Sequence, residues 1–309
     1  MAINRVEIKD FLVFNGEFAA DFCPGVNVLI GANGTGKTTL MRRMYEEIAE
    51  RYFLRVSPES RRSIPVEMSC ANAETPERIR LLFDSTKIFH TVYIPEKDIL
   101  EHAKGLLPFI EQKPTGFSRI YRDILVNAQD IPMINQTDTQ KEIGEIIADI
   151  IGGYIEWEQS EGSFYTMRTD GARIPFATEA SGFKKLGFLG LLVASGQLEK
   201  GSVLFWDEPE NSLNPELVPI LVNVLLELSR NGVQIFIATH DYNLARYFDV
   251  RKDKEIPVMF HNLSKTDTGQ IISNSSIEYL KLADNHLETA SKDLFKAVVA
   301  DAMGARDDE

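Results

Sequence analysis

Apolar residues come in short runs whose period changes along the chain, and each change predicts an element. Asn4 to Lys9 and Phe18 to Phe22 alternate apolar with polar, as half-buried strands do, and the turn-rich FNGE between them predicts a hairpin. Val26 to Ile30 is apolar but for Asn27, the pattern of a strand covered on both faces. From about 41 to 62 the period lengthens to that of a long helix, broken at Pro58 and carrying Arg42, Arg43, Arg51, Arg55, Arg61 and Arg62. Such a run of arginines reads as a solvated helix face before it reads as a polyanion contact.

Between about 63 and 150 the pattern predicts a short strand near Pro65 to Ser69, an apolar strand at Ile88 to Ile94, and helices punctuated by Pro108, Pro114 and Pro132. No heptads are sustained there, so no coiled-coil arm is inserted. Tyr154 to Trp157 and Phe164 to Arg168, joined by QSEGS, predict a second hairpin. From Ser181 the order is helix to Ala194, buried strand Ser202 to Trp206, helix Pro215 to Arg230, and buried strand Val233 to Thr239. Buried strands alternating with helices predict an α/β fold with a mostly parallel core sheet, preceded by N-terminal antiparallel strands. The expected organisation is an N-terminal part of the core (1–62), an inserted lobe of helices and a hairpin (63–175), a C-terminal part of the core (176–250), and C-terminal strands with a helical tail (251–309).

Composition narrows the function classes. With 309 residues and 44% hydrophobic content, the chain can bury a full core. Its 33 basic against 46 acidic residues give a net charge of −13, which excludes a broad cationic surface gripping nucleic acid unaided but leaves room for a local basic groove. Cys23 and Cys70 have neither zinc spacing nor a disulfide framework, and read as small buried apolar residues. The start MAINRVEIKD has no apolar h-region, and the longest apolar stretch, around Leu186 to Ser195, is too short for a bilayer. The expectation is a soluble, cytoplasmic protein with no membrane insertion.

Three motifs carry chemistry. GANGTGKT, residues 31 to 38, fits G-x-x-x-x-G-K-[ST] between a predicted strand and a predicted helix, the phosphate loop of a P-loop NTPase. Glycines there let backbone N–H groups converge on phosphates, so Asn33, Gly34, Thr35, Gly36, Lys37, Thr38 and Thr39 form the expected nucleotide cradle. Lys37 would reach the β and γ groups and the Thr38 hydroxyl would ligate Mg²⁺. SVLFWDEPEN, residues 202 to 211, ends a buried strand on Asp207, placed to hold Mg²⁺ through its water shell, with Glu208 placed to take a proton from an attacking water. The blander reading of that run is an acidic turn leading into the next helix. His240 ends the following strand in IFIATHDYNLA.

Together these motifs resemble the ATP-binding-cassette superfamily. VEIKDFLVFNGEF, GVNVLIGANGTGKTTLM and WDEPENSLNPELV resemble more narrowly the heads of the SMC, RecF and OLD group of ATPases, often described as AAA-type. The resemblance covers residues 3 to 45 and 175 to 248 well and the middle only loosely. It implies ATP and Mg²⁺ as ligands, Glu208, His240 and Lys37 as the catalytic set, and His240 as a sensor of the γ-phosphate. It also implies a signature segment, here EASGFKKLGFLGLL at 179 to 192, in which Ser181 and Gly182 cap the γ-phosphate of the opposite protomer in a homodimeric ATP sandwich.

Departures from the family pattern are visible too. Phe183 and Lys184 differ from Leu-Ser-Gly-Gly-Gln, which leaves the roles of Lys184 and Lys185 open; Asn214 stands where Leu-His-Pro is usual, and Leu12 replaces the common Arg after Phe11. Glu96, in VYIPEKDILEH, occupies the place of a switch residue, or of an ordinary strand-ending turn. The resemblance implies a DNA-related process, repair or phage defence, with a separate nuclease, because the segment after His240 has no clustered carboxylates. The alternatives are the nucleotide-binding subunit of a transporter and a non-hydrolysing assembly switch. A GTPase fits poorly: LSKTD at 263 to 267 lacks the Asn of N-K-x-D, and KTDTGQ reads as a hairpin turn.

Overall fold

Central to the molecule is a six-stranded sheet whose strand order is β12-β11-β3-β10-β9-β5. It is formed by β3 (Val26–Ile30), β5 (Thr91–Ile94), β9 (Val203–Asp207), β10 (Gln234–Ala238), β11 (Val258–Lys265) and β12 (Ile271–Ser276). The computed structural model describes residues 2–53, 79–83, 90–112, 118–130 and 133–303. Every neighbouring pair in the sheet is parallel except β11 with β12 at the edge. Each residue of β3, β9 and β10 is buried, as helices on both faces require. Aromatic residues pack across the strands: Phe205 stacks on Phe236 at 5.0 Å, and Phe22, just after β2, meets Phe236 edge-on at 4.9 Å.

Parallel neighbours need crossovers, supplied by α1 (Lys37–Phe53), α6 (Val218–Arg230) and α7 (Tyr242–Arg251). A second sheet, order β2-β1-β4, joins β1 (Ile3–Phe11), β2 (Phe14–Asp21) and β4 (Ile79–Phe83). One buried side chain ties it to the core: Gln234 Oε1 accepts from the Ile3 N–H at 2.7 Å, while its Nε2 donates to the carbonyls of Ile3 and Cys23. A third sheet, order β6-β7-β8, holds β6 (Gly153–Glu158), β7 (Ser163–Arg168) and β8 (Arg173–Pro175). Beside it run α2 (Ala103–Gln112), α3 (Arg119–Asn127), α4 (Asp138–Ile151) and α5 (Ser181–Ala194). α4 is closed by a Thr137–Gln140 capping box and by Gly152 at φ 67°. Gly187 and Gly190 let α5 sit directly on Ile147, Ile151 and Ile155. The described chain ends in α8 (His286–Ala302), none of whose residues is buried.

Several expectations need correction. The first hairpin turns at Leu12–Val13, not at FNGE, because Phe14 is drawn into the core as the opening residue of β2 and the Asp10 carboxylate accepts the Gly16 N–H. The first long helix starts earlier, at Lys37, since the phosphate loop runs into it without a break. Pro108 does not punctuate a helix but lies within α2 on an exposed face, where the carbonyl it leaves unpaired can be met by water. The strand expected at Ile88 to Ile94 is described from Thr91. The span 63–175 also lends β5 to the core sheet and β4 to the N-terminal sheet, so it is not wholly an inserted lobe. Arg55, Pro58, Arg61, Arg62, the strand near Pro65 to Ser69, Cys70, Pro114 and Pro132 lie outside the described residues. Cys23 is buried, and burial pushes its thiol up to about 11.

The stack at the sheet centre predicts a measurable cost. Phe236→Ala should lose about 3–5 kcal/mol of stability in chemical unfolding, since it empties the space between Phe22 and Phe205.

Candidate nucleotide site

A parallel sheet presents the carboxyl ends of its strands along one edge, where ligands of open α/β folds bind. At that edge β3 runs into residues 31–38, β9 ends on Asp207 and β10 leads to Thr239 and His240. Gly31 has φ 141°, and a Cβ there would lie 2.2 Å from the Leu263 carbonyl oxygen. Gly36, at φ 89°, is overhung by the tip of the β1–β2 hairpin, with Val13 Cγ2 at 2.9 Å from the Cβ position. The loop is braced internally by the Thr35 hydroxyl donating to the Ala32 carbonyl at 2.8 Å. Ala32, Asn33 and Gly34 are exposed, and Thr38 and Thr39 open the first turn of α1, which carries no acidic residue to compete with an anion.

Lys37 is folded back over its own loop. Its Nζ donates to the Gly31 carbonyl at 2.7 Å and to the Ala32 carbonyl at 3.2 Å. Burial lowers its pKa to about 8, against the opposing pull of Glu208 and Asp207.

The acids converge on the same place. The Thr38 hydroxyl donates to Asp207 Oδ1 at 3.1 Å, and the Tyr93 hydroxyl donates to Asp207 Oδ2 at 3.4 Å. Burial raises the Asp207 pKa, the two hydroxyls opposing it. Hydroxyl and carboxylate oxygens suit a hard cation such as Mg²⁺. Among the described residues no group of three or more His, Cys, Asp or Glu could hold a metal, so the remaining ligands would be nucleotide oxygens and water.

Glu208 follows at φ 46°, a left-handed backbone that turns its side chain off the strand's alternation and towards the loop. Three bonds fix that peptide: the Glu208 N–H donates to the Ala238 carbonyl, while Lys185 Nζ at 2.9 Å and the Asn211 N–H at 3.1 Å donate to the Glu208 carbonyl. Burial, with the charges of Glu96 and Asp207, raises the Glu208 pKa. His240 Nε2 lies 3.7 Å from Glu208 Oε1, and burial together with Lys37 lowers the His240 pKa. Glu96 is brought to the site by its bond from Asn211 Nδ2 at 3.0 Å.

Three contributors were assigned no role from the sequence. Tyr93 arrives because β5 pairs with β9 opposite Phe205. Glu210 accepts from the Thr239 hydroxyl at 2.5 Å and from the His240 N–H at 3.4 Å, and so seats the histidine. Lys185 reaches Glu208 from α5, whereas Lys184 pairs with Glu101 and donates to the Ala177 carbonyl. Each lies in a segment singled out above, Tyr93 in VYIPEKDILEH, Glu210 in SVLFWDEPEN and Lys185 in EASGFKKLGFLGLL, but its partner in the site is distant in sequence or unmarked by spacing.

Ser181 opens α5 and is exposed; Ala180 before it supplies no side-chain cap, so the helix N-terminus is open. A Cβ on Gly182 would lie 3.2 Å from the Ser212 carbonyl and 3.3 Å from Leu213 Cδ1, which places the signature segment against the turn after Glu208. Among the described residues no hydrogen bond joins Ser181 or Gly182 to the phosphate loop.

Residues 50–246 match the family model described as "AAA domain, putative AbiEii toxin, Type IV TA system", which begins after the phosphate loop. L-cystine import ATP-binding protein TcyC of Bacillus subtilis (strain 168) is 22% identical over 72% of this chain and 71% of its own length. TcyN of the same organism is 31% identical over 28% of this chain and 37% of its own length, so that match spans little more than a third of the relative. Among solved structures, an Smc head bound to the C-winged helix domain of ScpA superposes with a TM-score of 0.53 at 14% identity, covering 93% of this chain and all of that one. The Smc head with an extended coiled coil bound to the C-terminal domain of ScpA, from Pyrococcus furiosus, gives 0.51 at 13%, covering 96% and 99%. These superpositions establish the fold.

The state of Lys37 makes nucleotide affinity depend on pH. Below pH 8 the free protein already carries the proton that a bound polyphosphate favours; above it, ATP affinity should fall by up to about tenfold per unit, with proton uptake on binding. Calorimetry from pH 7 to 9 in buffers of different ionisation enthalpy measures this, and Lys37→Arg should flatten it.

Proposed function

This chain belongs to the family described as "AAA domain, putative AbiEii toxin, Type IV TA system", and from that premise we propose that it is an Mg²⁺-dependent ATPase of the ABC type that closes two copies around ATP. The observation that carries the reading is the convergence of Lys37, Thr38, Asp207, Glu208 and His240 from the ends of three adjacent parallel strands. Loop N–H groups, the α1 N-terminus and Lys37 hold the phosphates. Thr38 and Asp207 would hold Mg²⁺, which would neutralise phosphate charge. Glu208 accepts the proton of the attacking water, and His240 hydrogen-bonds to that water or to the γ-phosphate.

The exposed, uncapped start of α5 offers Ser181 and the Gly182 N–H to the γ-phosphate of a second copy, which supports a homodimer. In this reading 1–62 and 176–250 form the ATPase core, 63–175 delivers the output apart from the strands it lends to the sheets, and 251–309 closes the sheet edge and ends in the tail. No described helix is long and apolar enough to cross a membrane, and a cytoplasmic location is part of the proposal. The process served would be DNA-related, repair or phage defence beside a separate nuclease; the Smc-head fold and the family's toxin description support it. The alignment with TcyC favours a second reading, the nucleotide-binding subunit of an importer.

Glu208→Gln should bind ATP without turnover and elute as a dimer with ATP and Mg²⁺; strictly monomeric elution would sink the sandwich. Pull-down of native partners with the same variant separates the two readings, recovering a nuclease in the first and integral membrane subunits in the second. If DNA is the target, duplex ends or single strands should raise ATP turnover, and the increase should vanish at high salt.

A further inference from the structure

β11 runs on past the end of β3. Their parallel register pairs Val258 with Val26 and Asn262 with Ile30, so Leu263, Ser264 and Lys265 extend alongside the phosphate loop. The approach is close: the Leu263 carbonyl lies 2.2 Å from the Cβ position of Gly31, and Lys265 Nζ lies 3.8 Å from that of Gly34. The chain turns back at once, with the Thr266 N–H donating to the Gln270 carbonyl at 2.9 Å and the Gly269 N–H to the Thr266 carbonyl at 2.8 Å. Gln270 Nε2 then donates to the Glu17 carbonyl at 2.8 Å, bracing the hairpin against β2. Lys265 is therefore carried at a defined place beside the loop. It is exposed, and in a chain of 46 acidic residues it forms no ion pair among the described residues. A lysine left unpaired in so acidic a protein, beside a loop built for anions, has an anion as its natural counterpart.

We propose that Lys265 is a second nucleotide-binding cation, reaching past Gly34 to the polyphosphate held on residues 31–38. The proposal rests on the reading of that loop as an ATP site. Lys37 approaches the loop from within α1 and is tied to two loop carbonyls; Lys265 approaches from a neighbouring strand and has no such ties. Its contribution is that of a mobile point charge, sensitive to salt.

The test compares the full-length chain with Lys265→Ala, Lys265→Glu and Lys265→Arg, using calorimetric titration of ATP and ADP and competition by inorganic pyrophosphate. ATP and ADP should bind about twofold to fivefold more weakly to Lys265→Ala and more weakly still to Lys265→Glu, as loss of one exposed charge pair implies. Lys265→Arg should bind like the parent, and the Ala variant should show a shallower dependence on salt. Pyrophosphate should lose affinity by the same factor as ADP. Unchanged ATP and pyrophosphate binding by Lys265→Glu overturns the proposal, and so does a loss confined to nucleotides, which would place the contact on the nucleoside. Thermal unfolding of each variant confirms that this exposed substitution leaves the fold intact. Lys37→Ala runs in parallel: ATP binding that survives it, or a parent chain that binds no ATP, overturns the reading of the loop itself and is distinguishable from failure at Lys265 alone.

Discussion

The parallel register of β3, β10 and β9 is the constraint on which the site depends. Ala238 lies level with both Leu29 and Asp207, so three strand ends come to one edge at one height. A register shift of two residues would keep every side chain on its proper face and still move Asp207 some 6–7 Å from Thr38. The apolar run of each strand thus fixes which face is buried, while the stack of Phe205 on Phe236 and the bonds of Gln234 hold the alignment along the strand.

Just beyond that edge the backbone leaves ordinary geometry. Glu208 and Ser212 both have positive φ, and neither is glycine. Such residues persist only when their surroundings over-determine them, and here the surroundings are visible: Ala238 and Asn211 hold the Glu208 peptide through backbone bonds, and Lys185 grips its carbonyl from α5. Because α5 also begins with Ser181 and Gly182, the helix proposed to face a second copy is bonded to the Glu208 peptide itself.

The larger features were legible because they are local. Val26 to Ile30 and Ser181 to Ala194 stand in the structure with the bounds their apolar patterns predict, and the phosphate loop announced itself by spacing alone. Boundaries failed where a distant contact outweighed the local pattern: Phe14 left the turn for the core, and Pro108 stayed inside a helix because its ring faces solvent. The least legible residues reach the site from elsewhere in the chain. Tyr93 depends on β5 pairing with β9, and Lys265 on β11 pairing with β3; no neighbouring residue of either signals its destination.

The order of the strands also has a bearing on synthesis. β3, which leads into the phosphate loop, finds its two neighbours in β10 and β11, and Ile3 waits for Gln234, 231 residues later. A ribosome therefore releases the nucleotide-binding strand, VNVLI, long before anything exists for it to pair with. Until then it is an exposed apolar segment with open hydrogen-bonding edges, the kind that chaperones shield and that aggregates when they do not. For a protein arranged this way, the first motif to be translated is among the last to acquire its shape.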